Sequence, residues 1–375
     1  MVRKIKKLLS SHFSLGFLVE TYRFVALETK IRKVFVFFSM FFLAGALLET
    51  YNFICAETST GKFDSTLGWT NLRGRTYEKG VQYSVNGDGF RMGKVDRKKS
   101  KIVVLGDSIG FGPGVNDEYV FSYLLDQLLP NYQVLNLSVI GYGLGQYFLL
   151  LKREIDRLNP RLVIVIICTG NDIMNTVMAE NYGLSKPLFY LGRKGLELSR
   201  GNVSRFSCNN MFAYSWFLKQ KFFAWMKKYC ATHSLPIENR ENVISEILRQ
   251  IDDLGKKRGV KTLFLLSPSK SNFDEKKAFL NFIEAARKNN PKNYMKAWFD
   301  SPEYSFSKTI AFFRNFFESS GLTYMDYQRE TASRGLDYES LFLDNYHYSP
   351  RGHKLLGEKI RDFALDKNML KKVDL

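Results

Sequence analysis

The stretch "RLVIVIIC", residues 161–168, constrains this chain more than any other. Seven apolar residues follow Arg161 with no polar residue among them. A strand with one wet face alternates apolar and polar positions. A strand without alternation has to be covered on both faces, as in parallel sheets flanked by helices. Four more segments have the same character: "KIVVLGD" at 101–107, "YQVLNL" at 132–137, "VKTLFLL" at 260–266 and "LTYMDY" at 322–327. Helical spacing of apolar residues fills the intervals, near 117–129, 144–158, 241–257, 303–318 and 350–366. Strands that alternate with helices imply right-handed crossovers. The expected fold is therefore α/β, a doubly wound, mostly parallel five-stranded sheet. Residues 173–240 break the rhythm and read as a helical insertion. Its segment 210–229, "NMFAYSWFLKQKFFAWMKKY", suits a lid, a membrane-facing flap or an extra helical layer.

The front of the chain bears on compartment. Residues 34–48, "VFVFFSMFFLAGALL", carry no charge, and eight Lys or Arg precede them against Glu20 and Glu28. Fifteen residues are short for a bilayer core, which needs roughly 20. With Lys33 snorkelling at one end and Tyr51 and Phe53 in the far interface, residues 32–54 are expected to form one transmembrane anchor. The basic segment 1–31 then stays in the cytoplasm, where residues 11–29 read as an amphipathic helix on the inner membrane face. Residues 55–100 read as a linker and lead-in, with a short hairpin at 81–91 in "VQYSVNGDGFR". Residues 101–375 form the main domain. The net charge of +18 leaves about +12 after the first 33 residues, which suits an anionic or membrane-adjacent partner. No basic–aromatic motif points to nucleic acid.

Cys55, Cys168, Cys208 and Cys230 form no CxxC pair. Cys168 reads as a buried thiol. Cys208 and Cys230 are either a disulfide, if the domain lies outside the cytoplasm, or two free thiols. Carboxylates and histidines do not cluster at ligand spacing, so no metal is expected. Gly110, Gly112 and Gly114 miss the dinucleotide fingerprint, with Pro113 between them, so no cofactor is expected.

In an open α/β sheet, ligands bind beyond the carboxyl ends of the strands. Four stretches follow strands in this way: Gly106-Asp107-Ser108, Gly141 in "NLSVIG", Gly170-Asn171-Asp172, and Asp344-x-x-His347 in "DNYHYSPRGH". Singly, each reads as a cap or turn. Together, in this order, they resemble the SGNH (GDSL-type) hydrolase family, whose fold is flavodoxin-like. Ile109 replaces the leucine of the nominal signature, and Ser138 stands where many members have glycine. The lead-in before the first block is similar to that of membrane-anchored bacterial members.

The resemblance implies a Ser108–His347–Asp344 triad. It also implies an oxyanion hole from the Ser108 N–H, the Gly141 N–H and the Asn171 side chain. Asp107 would order the turn. Ser349-Pro350 would start the last helix, whose His353 is structural, while His12 and His233 have no role. The implied activity is hydrolysis of an acyl or acetyl ester on an envelope glycan or lipid, on the periplasmic or exterior side of the membrane. Acyl transfer to a polysaccharide by the same triad, and a non-catalytic envelope scaffold, are the alternatives. The oligomeric state is left open.

Overall fold

The computed structural model describes residues 15–54, 57–58, 61–78, 80–91, 93–181, 184–199, 203, 240–273, 306–332 and 337–371. Residues 210–229, His12, His233, Cys55, Cys208 and Cys230 lie outside them.

Five parallel strands form the central sheet: β1 (Ser100–Leu105), β2 (Tyr132–Asn136), β3 (Leu162–Cys168), β4 (Lys261–Ser267) and β5 (Tyr324–Asp326). Their order is β2-β1-β3-β4-β5, all pairs parallel. The doubly covered strands explain the missing alternation. Val103, Leu105, Val163, Val165, Ile167, Phe264 and Leu266 point into one core. Ile102, Val104, Ile164, Ile166, Cys168, Leu263 and Leu265 point into the other. Both faces are apolar, so the two-residue period is invisible in the sequence although it governs the packing.

Helix α1 (Leu15–Ile54) is continuous over 40 residues. The expected anchor, residues 32–54, and the described part of the expected basic segment, residues 15–31, both lie within it. Its described side chains include Phe35, Phe37, Phe38 and Met40, all more than half exposed. Among the described residues, no helix is long and apolar enough to cross a membrane.

Residues 56–100 are more structured than a linker with one hairpin. Glu57–Thr58, Gly61–Asp64 and Gly68–Thr70 make a three-stranded antiparallel sheet. Its Leu67 and Trp69 are fully buried in the core shared with β1 and β3. The hairpin pairs Gly74–Glu78 with Val81–Val85 rather than spanning 81–91. Past Val85 the chain turns on Asn86, whose Oδ1 accepts from the Asp88 and Phe90 N–H groups. Arg91 then makes single bridges to Val85 and to Asn136 at the end of β2.

The helices divide between the two faces. α4 (Leu144–Leu158), α6 (Arg240–Lys256) and α7 (Phe306–Ser320) cover the first core. α3 (Phe121–Leu128) and α9 (Pro350–Asp366) cover the second. Short helices α2 (Ser108–Phe111), α5 (Asp172–Val177) and α8 (Tyr327–Ala332) follow β1, β3 and β5 directly. Beyond α5, the described part of the expected helical insertion is β-structure: Glu180–Asn181 pairs with Leu184–Ser185, and Phe189–Gly192 with Gly195–Leu198.

Candidate active site

The strand order reverses at β1 and β3, which places a crevice at their carboxyl ends. Ser108 follows β1 and Asn171 follows β3, one on each side. The Ser108 turn is built by Asp107, which is fully buried and caps α2 by accepting from the Ile109 N–H at 2.8 Å. Ser108 opens the helical turn, so its own N–H has no intrahelical acceptor. Gly110 lets the turn close on the neighbouring loop: a Cβ there would lie 2.2 Å from Ser138 Oγ.

His347 comes from a loop after β5, the far edge of the sheet. Several bonds carry it back. The Tyr348 hydroxyl pairs with Ser267 Oγ at 2.8 Å, and the Lys270 N–H donates to Asn345 O at 2.9 Å. Tyr346 packs where a Cβ on Gly170 would be only 3.2 Å away. Ser349 caps α9 through the Gly352 N–H, and Pro350 takes the first helical position, as the sequence implied.

The loop delivers His347 Nε2 to 3.1 Å from Ser108 Oγ and His347 Nδ1 to 2.8 Å from Asp344 Oδ2. Asp344 Oδ1 also accepts from the Tyr346 and His347 backbone N–H groups, at 2.7 and 2.8 Å. A carboxylate only accepts, so Nδ1 carries the proton and Nε2 presents its lone pair to the serine hydroxyl. Partial burial raises the Asp344 pKa, but the hydrogen bonds from the His347 side chain and from the two backbone groups outweigh it. The carboxyl is held at about 2.

Gly141 and Asn171, expected to supply oxyanion donors, make no hydrogen bond to the Asp344–His347–Ser108 path among the described residues. Asn171 Nδ2 donates to Asp107 Oδ2 at 3.1 Å, which fixes the amide with its nitrogen toward the Ser108 turn. Its Oδ1 is buried with no hydrogen-bond partner among the described residues. Burial raises the Asp107 pKa, against the bonds from Ile109 and Asn171. Gly141 lies on the buried loop after β2 at φ +78°, a backbone conformation glycine adopts freely. Among the described residues no backbone acceptor takes the Gly141 N–H.

Of the residues that support the site, Arg91 and Lys186 carried no local signal. Arg91 is 1 % exposed and donates to the carbonyls of Phe111, Gly112 and Val115, tying down the loop that leaves the Ser108 turn. It also pairs with Asp117 at 3.3 Å and lies over the rings of Tyr83 and Phe111. Asp172 is buried below Asn171, accepting from the Tyr147 hydroxyl and the Cys168 N–H; burial pushes its pKa well up. Lys186 is buried beside it and donates to Asn175 O; burial, opposed by Asp172, pushes its pKa down to about 7. Cys168 is a free, buried thiol, as read from the sequence. Among the described residues no group of three His, Cys, Asp or Glu side chains is placed to hold a metal ion.

No protein-family model matches the chain, and no curated protein matches it. Solved structures do. A putative lipolytic protein of the G-D-S-L family from Desulfitobacterium hafniense DCB-2 is 12 % identical, with a TM-score of 0.39 over 71 % of this chain and 99 % of that one. The acetyl xylan esterase AlAXEase is 12 % identical, with a TM-score of 0.41 over 71 % and 100 %. The lipase/acylhydrolase from Enterococcus faecalis is 14 % identical, with a TM-score of 0.39 over 72 % and 97 %. At such values the similarity carries no weight for activity, which has to be argued from the site itself.

Proposed function

We propose that this chain is a serine ester hydrolase. The observation that carries the reading is the continuous path Asp344–His347–Ser108, with bonds of 2.8 and 3.1 Å, at the carboxyl edge of the sheet. A serine hydroxyl is a weak nucleophile until a base takes its proton, and Nε2 is within reach to do so. Ser108 Oγ attacks the ester carbonyl as its proton passes to Nε2. Asp344 keeps the ring in the required tautomer and stabilises the imidazolium. The carbonyl oxygen becomes an oxyanion, held by the N–H groups of Ser108 and Gly141 and the Asn171 amide. Collapse breaks the C–O bond, and the Nε2 proton leaves with the alcohol. A water then enters, His347 removes its proton, and the acid departs from a regenerated Ser108.

The substrate class is an acyl or acetyl ester of an envelope glycan or lipid. The charge-free run 34–48 and the exposed Phe35, Phe37 and Phe38 support an anchor over residues 32–54, with the following domain on the periplasmic or exterior side. Extraction of membranes at alkaline pH tests the anchor: the full chain should stay with the lipid, and its release would refute the anchor while leaving the esterase reading intact. The activity test is labelling by a fluorophosphonate probe together with turnover of p-nitrophenyl acetate. Wild type should do both and Ser108→Ala neither. A folded wild type that does neither would favour a non-catalytic envelope module.

A further inference from the structure

We infer that Trp69 and Asn71, from the segment that precedes the central sheet, aim the Gly141 N–H at the substrate oxyanion; this deepens the esterase reading and rests on it. The argument begins with the peptide bond between Ile140 and Gly141. A trans peptide is planar, so the Ile140 carbonyl and the Gly141 N–H point in opposite directions. Whatever holds the carbonyl therefore sets the direction of the N–H.

The indole Nε1–H of Trp69 donates to Ile140 O at 3.0 Å. Trp69 is fully buried, and its ring meets Tyr142 edge-on with centroids 5.5 Å apart, so the indole has one orientation. The Tyr142 hydroxyl closes the unit by donating back to Trp69 O. Asn71, two residues on, holds the carbonyl two residues back along the loop: its Nδ2 donates to Ser138 O at 3.0 Å and to Gly89 O at 3.0 Å. From the other side, Asn181 Nδ2 donates to Gly141 O at 3.1 Å. Three carbonyls of the loop, at 138, 140 and 141, are thus held by side chains remote in sequence. The Gly141 N–H, with no backbone acceptor among the described residues, is left for a ligand. Oxyanion stabilisation falls steeply with donor misalignment, so a loop held in this way is worth more in the transition state than in the ground state.

Trp69 and Asn71 are positioning residues, since neither touches the reacting atoms. The test removes the indole N–H and keeps its shape, by installing 3-benzothienylalanine at position 69 of the full chain; Trp69→Phe is the simpler companion. The readouts are kcat and KM with p-nitrophenyl acetate, the rate of fluorophosphonate inactivation, and the unfolding midpoint. The expected result for the isostere, assayed well below its unfolding midpoint, is a kcat lower by about 10- to 100-fold with KM within about threefold, beyond the modest midpoint decrease expected from the lost bond to Ile140 O. Inactivation should slow in parallel, because phosphonylation also develops an anionic oxygen. A benzothienylalanine protein that turns over at the wild-type rate overturns the inference and spares the esterase reading. An isostere that loses activity only in step with its unfolding midpoint overturns it as well, because Trp69 would then act through stability alone. A wild type without turnover or labelling sinks the esterase reading first, and the inference with it.

Discussion

His353 gives this fold an acid-sensitive point that is independent of catalysis. The ring is fully buried on α9, stacked on Phe121 at 6.1 Å, and among the described residues neither nitrogen has a hydrogen-bond partner. Burial, with smaller contributions from the Arg91 and His347 charges, pushes its pKa down from 6.5 to about 3. The sign follows from proton uptake. Below about pH 6.5 the unfolded chain binds a proton at this site and the folded chain does not, so acid favours unfolding. The stabilisation is complete above that pH and falls by about 1.4 kcal/mol per unit until the folded ring itself protonates near pH 3. At pH 5 the loss is about 2 kcal/mol, and at pH 4 about 3 kcal/mol. The assay is urea unfolding of wild type and His353→Leu at pH 7.5 and pH 5, read as the change in their stability difference. Asp107 and Asp172, whose raised pKa values act in the opposite direction, are common to both proteins and cancel. The difference should shift by about 2 kcal/mol in favour of the variant at pH 5. A difference constant to within about 0.5 kcal/mol would refute a neutral, unpartnered His353.

Two other perturbations separate the site from its support. Asn171→Ala removes one of the proposed oxyanion donors and should lower kcat on the order of 100- to 1000-fold with little change in KM; a loss under about fivefold in steady-state assays would remove Asn171 from the cradle. Arg91→Met strips three loop carbonyls and Asp117 of a buried partner. It should cost about 3–5 kcal/mol in urea unfolding, and a near-neutral result would show that the loop is held by other contacts.

The elements most legible in the sequence were those with the strongest apolar pattern. Helices 144–158 and 350–366 match their expected limits; the start of β3 and both ends of β4 shift by one residue. The hairpin at 81–91 was less legible. Its turn residues were real, but Arg91 spends its backbone on β2 and its side chain on the Ser108 loop. The short helices α2 and α5 have too few residues to show a period. The three-stranded sheet over 57–70 pairs strands of two to four residues, too short for a detectable alternation.

Strand ends and turn chemistry, which are local properties, placed four motifs at one sheet edge; the resemblance they carry, not their spacing, nominated Ser108, Gly141, Asn171, Asp344 and His347. Residue type and order were enough to specify a doubly covered sheet, since an unbroken run such as 162–168 has no wet face to offer. Which distant groups bond to one another was decided only in three dimensions. His347 reaches Ser108 through Ser267, Lys270 and Gly170, and the Gly141 peptide takes its direction from Trp69. Such contacts depend on strand order and on the sub-ångström placement of buried donors. Neither leaves a mark on the spacing of residues along the chain.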